Sequence, residues 1–258
     1  MKKIIFTKMV ASGNDFIVID KKLSGNLPGL AKSLCDRKFG IGADGLLLLD
    51  NSKHTMRIFN ADGSEAQMCG NGARCAALLI GKKDGSINTL AGVIKTQVFG
   101  GQVRVQLTCP KDIKLDIPLN VNGRLIKVNF VNTGVPHVVI FVQGIDSIDV
   151  RNIGNSIRHH TKFAPAGTNV NFVEAKDKNI IQIRTYERGV ENETLACGTG
   201  SAASAVIFAL KKAVENLVKV KTQSGETLKV FFEKNNKKFQ NIWLEGSAKI
   251  VYKGEYYV

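Results

Sequence analysis

The chain has 258 residues, of which 44% are hydrophobic and 22% charged, the composition of an ordinary globular protein with one large or two small domains, which excludes a disordered or collagen-like chain. Lysine and arginine outnumber aspartate and glutamate by 36 to 22, so the formal net charge is +14 and a polyanionic partner has to be weighed. Only 7% of the residues are aromatic and no run of five basic residues occurs, so the charge favours a solvated, lysine-coated surface. A nucleic-acid-binding protein is kept only as the minority alternative to an enzyme.

The distribution of apolar residues predicts a protein of the cytoplasm with no membrane partner. The runs at residues 46–49 and 75–80 are far shorter than the roughly 18 residues that span a bilayer. The first residues contain only three apolar side chains before Thr7, too few for the core of a signal peptide. The five cysteines show neither disulfide-framework nor zinc-site spacing, so we expect thiols in a reducing compartment and no metal.

The predicted elements are two buried helices among a larger number of strands. Helices are predicted over residues 72–83 and 200–214, and both are apolar on nearly all sides, which is typical of a helix enclosed by other elements. Asn122-Gly123 predicts a hairpin turn. The predicted strands, in chain order, are 103–107, 125–130, 138–142, 180–186, 218–221, 228–232 and 248–252. We expect an α/β fold of the α+β type.

Two similar motifs indicate an internal repeat. One is Glu65-Ala-Gln-Met-Cys69-Gly70-Asn71-Gly72, and the other, 128 residues later, is Glu193-Thr-Leu-Ala-Cys197-Gly198-Thr199-Gly200. Arg57 and Arg184 lie 127 residues apart, and a series of nearly equal offsets indicates two similar halves. The sequence thus predicts two pseudo-symmetric domains, 1–115 and 116–258, each a curled, mostly antiparallel sheet around a central buried helix. Their boundary is predicted within residues 109–118. The prediction includes the possibility that the last strand pairs within the first domain.

The two cysteines stand where a helix is predicted to begin. A helix N-terminus carries partial positive charge, which lowers the pKa of a thiol from about 8.5 and makes it a usable base near neutral pH. The glycines let a ligand approach the backbone N–H groups, which suit a carboxylate. Two matched thiols suit inversion of a carbon centre, although either motif alone could be a buried turn or a weak phosphate loop. We expect Cys35, Cys75 and Cys109 to be buried apolar residues.

An ordered series of segments resembles the diaminopimelate epimerase family. Besides the two cysteine motifs, the segments are Gly13-Asn14-Asp15-Phe16, Gly40-Ile-Gly42-Ala-Asp44-Gly45, Phe59-Asn60-Ala-Asp62-Gly63-Ser64, Asn132-Thr-Gly134, Pro136-His137, Gly167-Thr-Asn169-Val-Asn171-Phe172 and Tyr186-Glu187-Arg188-Gly189. The resemblance implies two similar domains with the active site in the cleft between them. It also implies cofactor-independent interconversion of LL- and meso-2,6-diaminopimelate, in lysine and peptidoglycan precursor biosynthesis, by a homodimer.

The resemblance also implies a role for each matching residue. Cys69 and Cys197 would be the two bases, with catalytic support from His137 and Glu187. The substrate-binding residues would be Asn14, Asn60, Gly70, Asn71, Asn169, Glu187, Arg188, Gly198 and Thr199. His137 is equally interpretable as a core histidine, whereas His54, His159 and His160 are expected at the surface.

The chain departs from the family pattern at Val10-Ala11-Ser12, where the family commonly has His-Gly-x, and at Val135. Val135 stands where the family often has an asparagine before the Pro-His pair, and valine cannot donate the same hydrogen bond. The alternative within enzymes is therefore another cofactor-independent amino-acid racemase on the same fold.

Overall fold

The computed structural model describes residues 3–21, 23–236 and 238–257, and its chain forms two compact units. The first unit consists of Met1–Gln106 and Gly246–Val258, and the second of Leu107–Glu245. Residues 107–115 thus belong to the second unit, and the end of the chain belongs to the first. The outermost residues of the domains expected from the sequence, Met1 and Val258, lie outside the described residues. Among the described residues, no helix has the length and apolar character needed to cross a membrane.

The elements alternate between many strands and four α-helices in the described part of the chain. They begin with β1 Lys3–Ala11, β2 Asn14–Asp20, α1 Leu27–Cys35, β3 Gly45–Asp50, β4 Thr55–Asn60, β5 Glu65–Ala66, α2 Gly70–Ile80, β6 Asp84–Thr89, β7 Gly92–Phe99 and β8 Gln102–Gln106. They continue with β9 Lys111–Val121, β10 Arg124–Asn132, β11 Pro136–Phe141, α3 Val150–Arg158, β12 Asn169–Asp177, β13 Ile180–Glu187, β14 Asn192–Thr194, α4 Gly198–Lys212, β15 Leu217–Lys221, β16 Thr227–Asn235, β17 Lys238–Ser247 and β18 Lys249–Tyr257. Two short 3-10 turns lie at Ile145–Ser147 and Thr161–Phe163.

The two units have the same order and relative direction of strands, although the outer strand β18 comes from the end of the chain and its counterpart β9 directly precedes β10. In the first, the strand order is β18-β1-β2-β3-β4-β6-β7-β8, parallel at β2–β3 and β4–β6 and otherwise antiparallel, with β5 also paired to β4. In the second, the order is β9-β10-β11-β12-β13-β15-β16-β17, parallel at β11–β12 and β13–β15, with β14 paired to β13. The internal repeat and the mostly antiparallel α+β fold predicted from the sequence are therefore confirmed.

Each unit holds one helix inside its curled sheet and one on the outer face. Helix α2 contacts β1–β4 and β6–β8, and α4 contacts β10–β13, β15 and β16. Such enclosure explains why both helices are apolar all round, as predicted. Helix α1 packs its Leu27, Ala31 and Leu34 with Leu46 and Leu48 of β3. Helix α3 lies against β12 and β13 in the same way.

The element boundaries differ from the sequence prediction at several points. Helices α2 and α4 begin two residues before their predicted starts, and α2 ends where Gly81 adopts a left-handed conformation, φ 71°. The Asn122-Gly123 turn is confirmed between β9 and β10, with positive φ at both residues. Residues 109–118 are not a linker, because β9 runs through them. The short helices α1 and α3 were not predicted.

Candidate active site

Cys69 is the N-cap residue of α2. Its backbone is extended, φ −139° and ψ 122°, and its carbonyl accepts the first helical hydrogen bond from Ala73 N at 2.8 Å. The backbone N–H groups of Gly70 and Asn71 therefore lie at the positive end of the helix, next to the half-buried cysteine. This arrangement favours both a thiolate and a bound carboxylate.

A hydrogen-bond chain, buried at Arg74 and exposed at Asp44, links the Cys69 motif to the loop after β1. Arg74, fully buried one turn into α2, donates from Nη2 to Asn71 Oδ1 at 2.9 Å and to Ser12 Oγ at 2.6 Å. Asn71 Nδ2 donates to Asn14 Oδ1 at 3.2 Å, and Asn14 Nδ2 donates to Asp44 Oδ2 at 2.9 Å. The structure thus brings together the predicted residues Asn14 and Asn71. It adds Arg74 and Asp44, which the sequence analysis did not assign.

A charged cluster holds the same loop in place. Asp15 pairs with Lys8 at 2.8 Å and with Arg37 at 2.7 Å, and Arg37 also pairs with Asp44 at 2.7 Å. Burial raises the pKa of Asp15, but the hydrogen bonds from Arg37 and Lys8 outweigh it and hold that pKa well below its usual range. Asp15 is therefore ionised at neutral pH, and the position of neighbouring Asn14 is fixed.

Asn60 shapes the turn that leads to Cys69. It lies exposed at the end of β4, and its Nδ2 donates to Ser64 Oγ at 2.9 Å. The backbone N–H of Asn60 also donates to Ser64 O at 2.8 Å. These bonds close the turn between β4 and β5, which ends five residues before the cysteine.

Cys197 is the N-cap residue of α4 in the equivalent position. Its backbone is extended, φ −117° and ψ 115°, and its carbonyl accepts from both Ser201 N and Ser201 Oγ at 2.9 Å. Its Sγ lies 3.5 Å from the hydroxyl of Thr199, whose carbonyl accepts from Thr133 Oγ1 at 3.1 Å. Gly198 and Thr199 thus supply the backbone N–H groups at the start of α4.

His137 is both a core residue and a neighbour of the Cys197 motif. It is fully buried on β11, and its Nε2 lies 3.0 Å from Thr199 Oγ1. Its Nδ1 lies 3.1 Å from Nδ2 of Asn171. Burial, with a further contribution from the charge of Arg188, lowers the pKa of His137 to about 3. The imidazole is therefore neutral throughout the physiological range.

Asn169, Glu187 and Arg188 lie together at neighbouring strand ends of the second unit. Asn169 Oδ1 accepts from the backbone N–H of Arg188 at 2.9 Å, and Arg188 Nη1 donates to Ala166 O at 3.1 Å. Glu187 Oε2 accepts from Thr194 Oγ1 at 2.9 Å. Burial raises the pKa of Glu187, and the hydrogen bond from Thr194 opposes this shift. A carboxyl group with a raised pKa is suited to holding or passing a proton.

The second glycine of each motif serves packing, which corrects the expectation that it admits a ligand. A Cβ on Gly72 would lie 3.1 Å from Leu47 Cδ2 and 3.3 Å from Ile58 Cδ1. A Cβ on Gly200 would lie only 2.3 Å from Asn171 Oδ1. Both glycines therefore let the first turn of the helix approach the sheet.

The remaining cysteines only partly follow the prediction. Cys35 and Cys75 are buried, and burial raises their pKa values to about 11 and about 12. Cys109 is exposed, so its assignment to the core was wrong. Its neighbour Pro110 precedes β9 on the surface of the second unit, where the apolar pattern is weak. His159 is exposed, as expected, whereas His54 and His160 are half-buried.

A metal centre is not formed by any group of histidine, cysteine or acidic side chains within residues 3–21, 23–236 and 238–257. The first unit thus offers the Cys69 thiol and the N–H groups at the start of α2. The second unit offers the Cys197 thiol, the N–H groups at the start of α4, the half-buried carboxyl group of Glu187 and the neutral imidazole of His137.

Comparison with solved structures defines the class of fold. A phenazine biosynthesis protein of the PhzF family from Bacillus anthracis superposes with a TM-score of 0.76 at 18% identity, covering 100% of both chains. A probable proline racemase from Agrobacterium radiobacter K84 superposes with a TM-score of 0.74 at 16% identity, covering 99% of this chain and 92% of that one. The protein therefore has the fold of the proline racemase and PhzF proteins.

Comparison of sequences then defines the family. The family model for diaminopimelate epimerase matches residues 6–111 and 129–251. The diaminopimelate epimerase of Hydrogenobaculum sp. (strain Y04AAS1) is 42% identical, over 97% of this chain and 98% of that protein. The diaminopimelate epimerase of Aquifex aeolicus (strain VF5) is 43% identical, over 96% of each. The chain belongs to the diaminopimelate epimerase family, and the resemblance found in the sequence is confirmed.

Proposed function

We propose that the protein is a cofactor-independent epimerase that interconverts LL- and meso-2,6-diaminopimelate, in the synthesis of lysine and of peptidoglycan precursors. The observation that carries this proposal is a matched pair of cysteines, each the N-cap of the enclosed helix in one of two repeats with the same order and direction of strands. Membership of the diaminopimelate epimerase family supports the choice of substrate.

Cys69 and Cys197 are the two bases in this proposal. Inversion at the α-carbon needs a thiolate to remove the proton on one face and a thiol to deliver a proton to the other face. The sulfur that removed the proton becomes the thiol, and the sulfur that delivered one becomes the thiolate, so the two roles exchange for the reverse reaction. The positive ends of α2 and α4 stabilise each thiolate in turn.

The backbone N–H groups at the two helix N-termini bind the substrate's α-carboxylate in this proposal. Backbone N–H groups of Gly70, Asn71, Gly198 and Thr199 bind the α-carboxylate, since helix N-termini bind anions. The charge that develops on the α-carbon and its carboxylate during proton removal is stabilised by the same groups.

The polar side chains hold the other ends of the substrate. Asn14, Asn60 and Asn169 hydrogen-bond its amino and carboxyl groups, and Arg188 binds a carboxylate through its guanidinium. Glu187 binds an ammonium group and supports proton transfer near the strand end that carries it. We further propose that the enzyme works in the cytoplasm as a homodimer, as the family resemblance implies.

The proposal is tested by incubating the purified enzyme with LL-diaminopimelate in deuterated water, without added cofactor or metal. Product formed early should carry deuterium at the inverted carbon, while the remaining substrate stays largely protonated, because the donor thiol has exchanged with solvent. A panel of other L-amino acids, with L-proline included, is the control for substrate choice. Faster conversion of another amino acid, or early product without deuterium, contradicts the proposal.

A further inference from the structure

Five side chains of the second unit form one continuous hydrogen-bonded series that ends on Cys197. Thr185 Oγ1 donates to Asn171 Oδ1 at 3.0 Å, and Asn171 Nδ2 lies 3.1 Å from His137 Nδ1. His137 Nε2 lies 3.0 Å from Thr199 Oγ1, which is 3.5 Å from Cys197 Sγ. Thr185, Asn171 and His137 are buried in the core of the unit. We call these residues the Cys197 relay.

The direction of the hydrogen bonds in the Cys197 relay is fixed by a backbone carbonyl. Asn171 Nδ2 also donates to Val138 O at 3.0 Å, and a carbonyl oxygen can only accept. The amide nitrogen of Asn171 must therefore face β11, where His137 Nδ1 is its second acceptor. An accepting Nδ1 carries no proton, so the neutral imidazole holds its proton on Nε2.

The proton on Nε2 determines what the Thr199 hydroxyl does. Nε2–H of His137 donates to Thr199 Oγ1, which leaves the hydroxyl's own proton to be donated elsewhere. When Cys197 is a thiolate, its sulfur can only accept, so the hydroxyl donates to it. A hydrogen bond to the charged form of an acid favours that form.

The same place in the first unit is apolar. The second glycine of the Cys69 motif, Gly72, packs on Leu47 and Ile58, whereas the equivalent Gly200 packs on Asn171, which bonds Thr185. Ile58 and Thr185 are equivalent, because each directly follows the arginine of its repeat. An apolar pair therefore suffices to pack this fold. Buried polar groups carry a desolvation penalty, so the polar pair beneath Cys197 requires a different reason.

We propose that Asn171 and Thr185 are positioning residues for Cys197: they hold His137 as the Nε2–H tautomer, which turns the hydroxyl of Thr199 toward the sulfur and favours its thiolate. The inference rests on the proposed function, in which Cys197 is one of the two bases. His137 transfers no proton in this arrangement. Its ring passes on the orientation that Asn171 sets.

The test compares the two cysteines within one molecule. The reduced enzyme is alkylated with iodoacetamide between pH 5 and 10, and the modification of Cys69 and Cys197 is followed separately by mass spectrometry of their peptides. The pH dependence reports the thiolate fraction independently of how accessible each sulfur is. Asn171→Leu and the nearly isosteric Thr185→Val remove the start of the relay, and Ser204→Ala is the control, since it deletes another buried hydroxyl of α4.

We expect Asn171→Leu to lower Cys197 alkylation at pH 7 by about tenfold relative to Cys69, since a hydrogen bond to a charged group is worth about that factor. Thr185→Val should lower it by about threefold, and Ser204→Ala should leave the ratio unchanged. Nitrogen-detected spectra of the four histidines should show His137 as the Nε2–H tautomer, without titration from pH 5 to 9.

Two results would overturn the inference. One is a folded Asn171→Leu or Thr185→Val enzyme with an unchanged ratio of Cys197 to Cys69 alkylation. The other is a proton on Nδ1 of His137 in the unaltered enzyme. Neither readout uses turnover, so they are separate from the assay with LL-diaminopimelate. Inactivity toward that substrate would refute the proposed function, while a tenfold change in the alkylation ratio would still support the relay.

Discussion

Arg184 and Glu193 form a salt bridge with two hydrogen bonds, Nε to Oε1 and Nη2 to Oε2, both at 2.7 Å. Arg57 and Glu65 form the same bridge in the first unit, at 2.7 and 2.9 Å. In each unit the glutamate lies four residues before the cysteine, on the short strand that enters the helix. The bridge holds this strand against the strand that carries the arginine and thereby fixes the start of the helix. The internal repeat therefore includes side-chain interactions as well as strand order.

The two bridges should contribute unequally to stability. The side chain of Arg184 is 14% exposed, against 46% for Arg57, and its Nη1 also donates to the backbone carbonyls of Ile145, Asp146 and Ile148. Glu193→Gln leaves a poorly solvated cation behind and should lower the free energy of unfolding by about 1–3 kcal/mol. Glu65→Gln should lower it by less than about 1 kcal/mol. Urea unfolding measures the loss of unfolding free energy in each variant. Equal losses would contradict the stronger contribution assigned to the Arg184–Glu193 bridge.

Substitution of either helix-capping cysteine should abolish turnover. Cys69→Ala and Cys197→Ala should each lower kcat by at least about a thousandfold, because both thiols act in every turnover of the proposed mechanism. Cys109→Ala, at an exposed position outside both motifs, is the matched control and should keep the rate of the unaltered enzyme. Initial rates with LL-diaminopimelate decide the point. Near-normal turnover by either of the first two variants would exclude a two-base mechanism.

Much of the fold could be predicted because apolar residues mark it directly. Helices α2 and α4 were found from continuous apolar sequence, and the repeat was found from the spacing of its motifs. Their first two residues were missed, since Gly70 and Gly198 have low helix propensity and only the tertiary structure makes them helical. Helices α1 and α3 are nine residues each, too short to stand out, although Asn26 and Asp149 cap them in the usual way.

The candidate site could be predicted only where a motif marked it. Asn171 and Thr185 lie within strands, and nothing in the local sequence shows that one bonds His137 and the other bonds Asn171. Their partners lie 34 and 14 residues away along the chain and are brought close by the pairing of β11, β12 and β13. The role of Arg74 could not be predicted for a similar reason, because an arginine within an apolar helix is identified as structural only when its buried contacts are known.

Alanine should be tolerated at one motif glycine and not at the other. At Gly200, the new Cβ would lie 2.3 Å from Asn171 Oδ1, and that amide is held by three hydrogen bonds. We expect Gly200→Ala to lower the free energy of unfolding by about 1–3 kcal/mol, as overpacking does. At Gly72 the neighbours are methyl groups at the ends of flexible side chains, so the change should stay within about 1 kcal/mol.

The double variant Gly200→Ala/Asn171→Ala supplies the control for this prediction. Removing the amide makes room for the new methyl group, so the two changes should be less destabilising together than the sum of each alone. Thermal or urea unfolding of the unaltered enzyme, the two single variants and the double variant gives the coupling free energy between the two positions. Strict additivity would show that the close approach of Gly200 to Asn171 is not the cause.

Buried His137 should make the protein sensitive to mild acid. Burial lowers its pKa from 6.5 to about 3, so the folded state stays unprotonated at pH values where the unfolded chain takes up a proton. This contribution to stability is fully present above pH 6.5 and is lost progressively as the pH falls toward 3. The slope from this residue is about 1.4 kcal/mol per pH unit within that window.

His137→Gln isolates this effect. The other histidines are common to both proteins, so the difference in their unfolding free energies between pH 7 and pH 4.5 reports residue 137 alone. The unaltered enzyme should lose more stability than the variant on acidification, even though the variant starts from a lower value. Parallel curves would contradict the pKa assigned to His137.

Thiol reagents should distinguish three kinds of cysteine in the folded enzyme. Cys109 is exposed and should react first at pH 8, without loss of activity, since it lies outside both motifs. Cys35 and Cys75, with pKa values raised to about 11 and about 12 by burial, hold only about one part in 1,000 and one part in 10,000 as thiolate at that pH and should stay unmodified. Activity should therefore fall only as Cys69 and Cys197 react.

The variant Cys109→Ala is the control. The fast phase of thiol modification should disappear in it, while the phase that accompanies inactivation keeps its rate. Loss of activity in step with Cys109 modification would place the reacting thiols elsewhere than at the two helix N-termini.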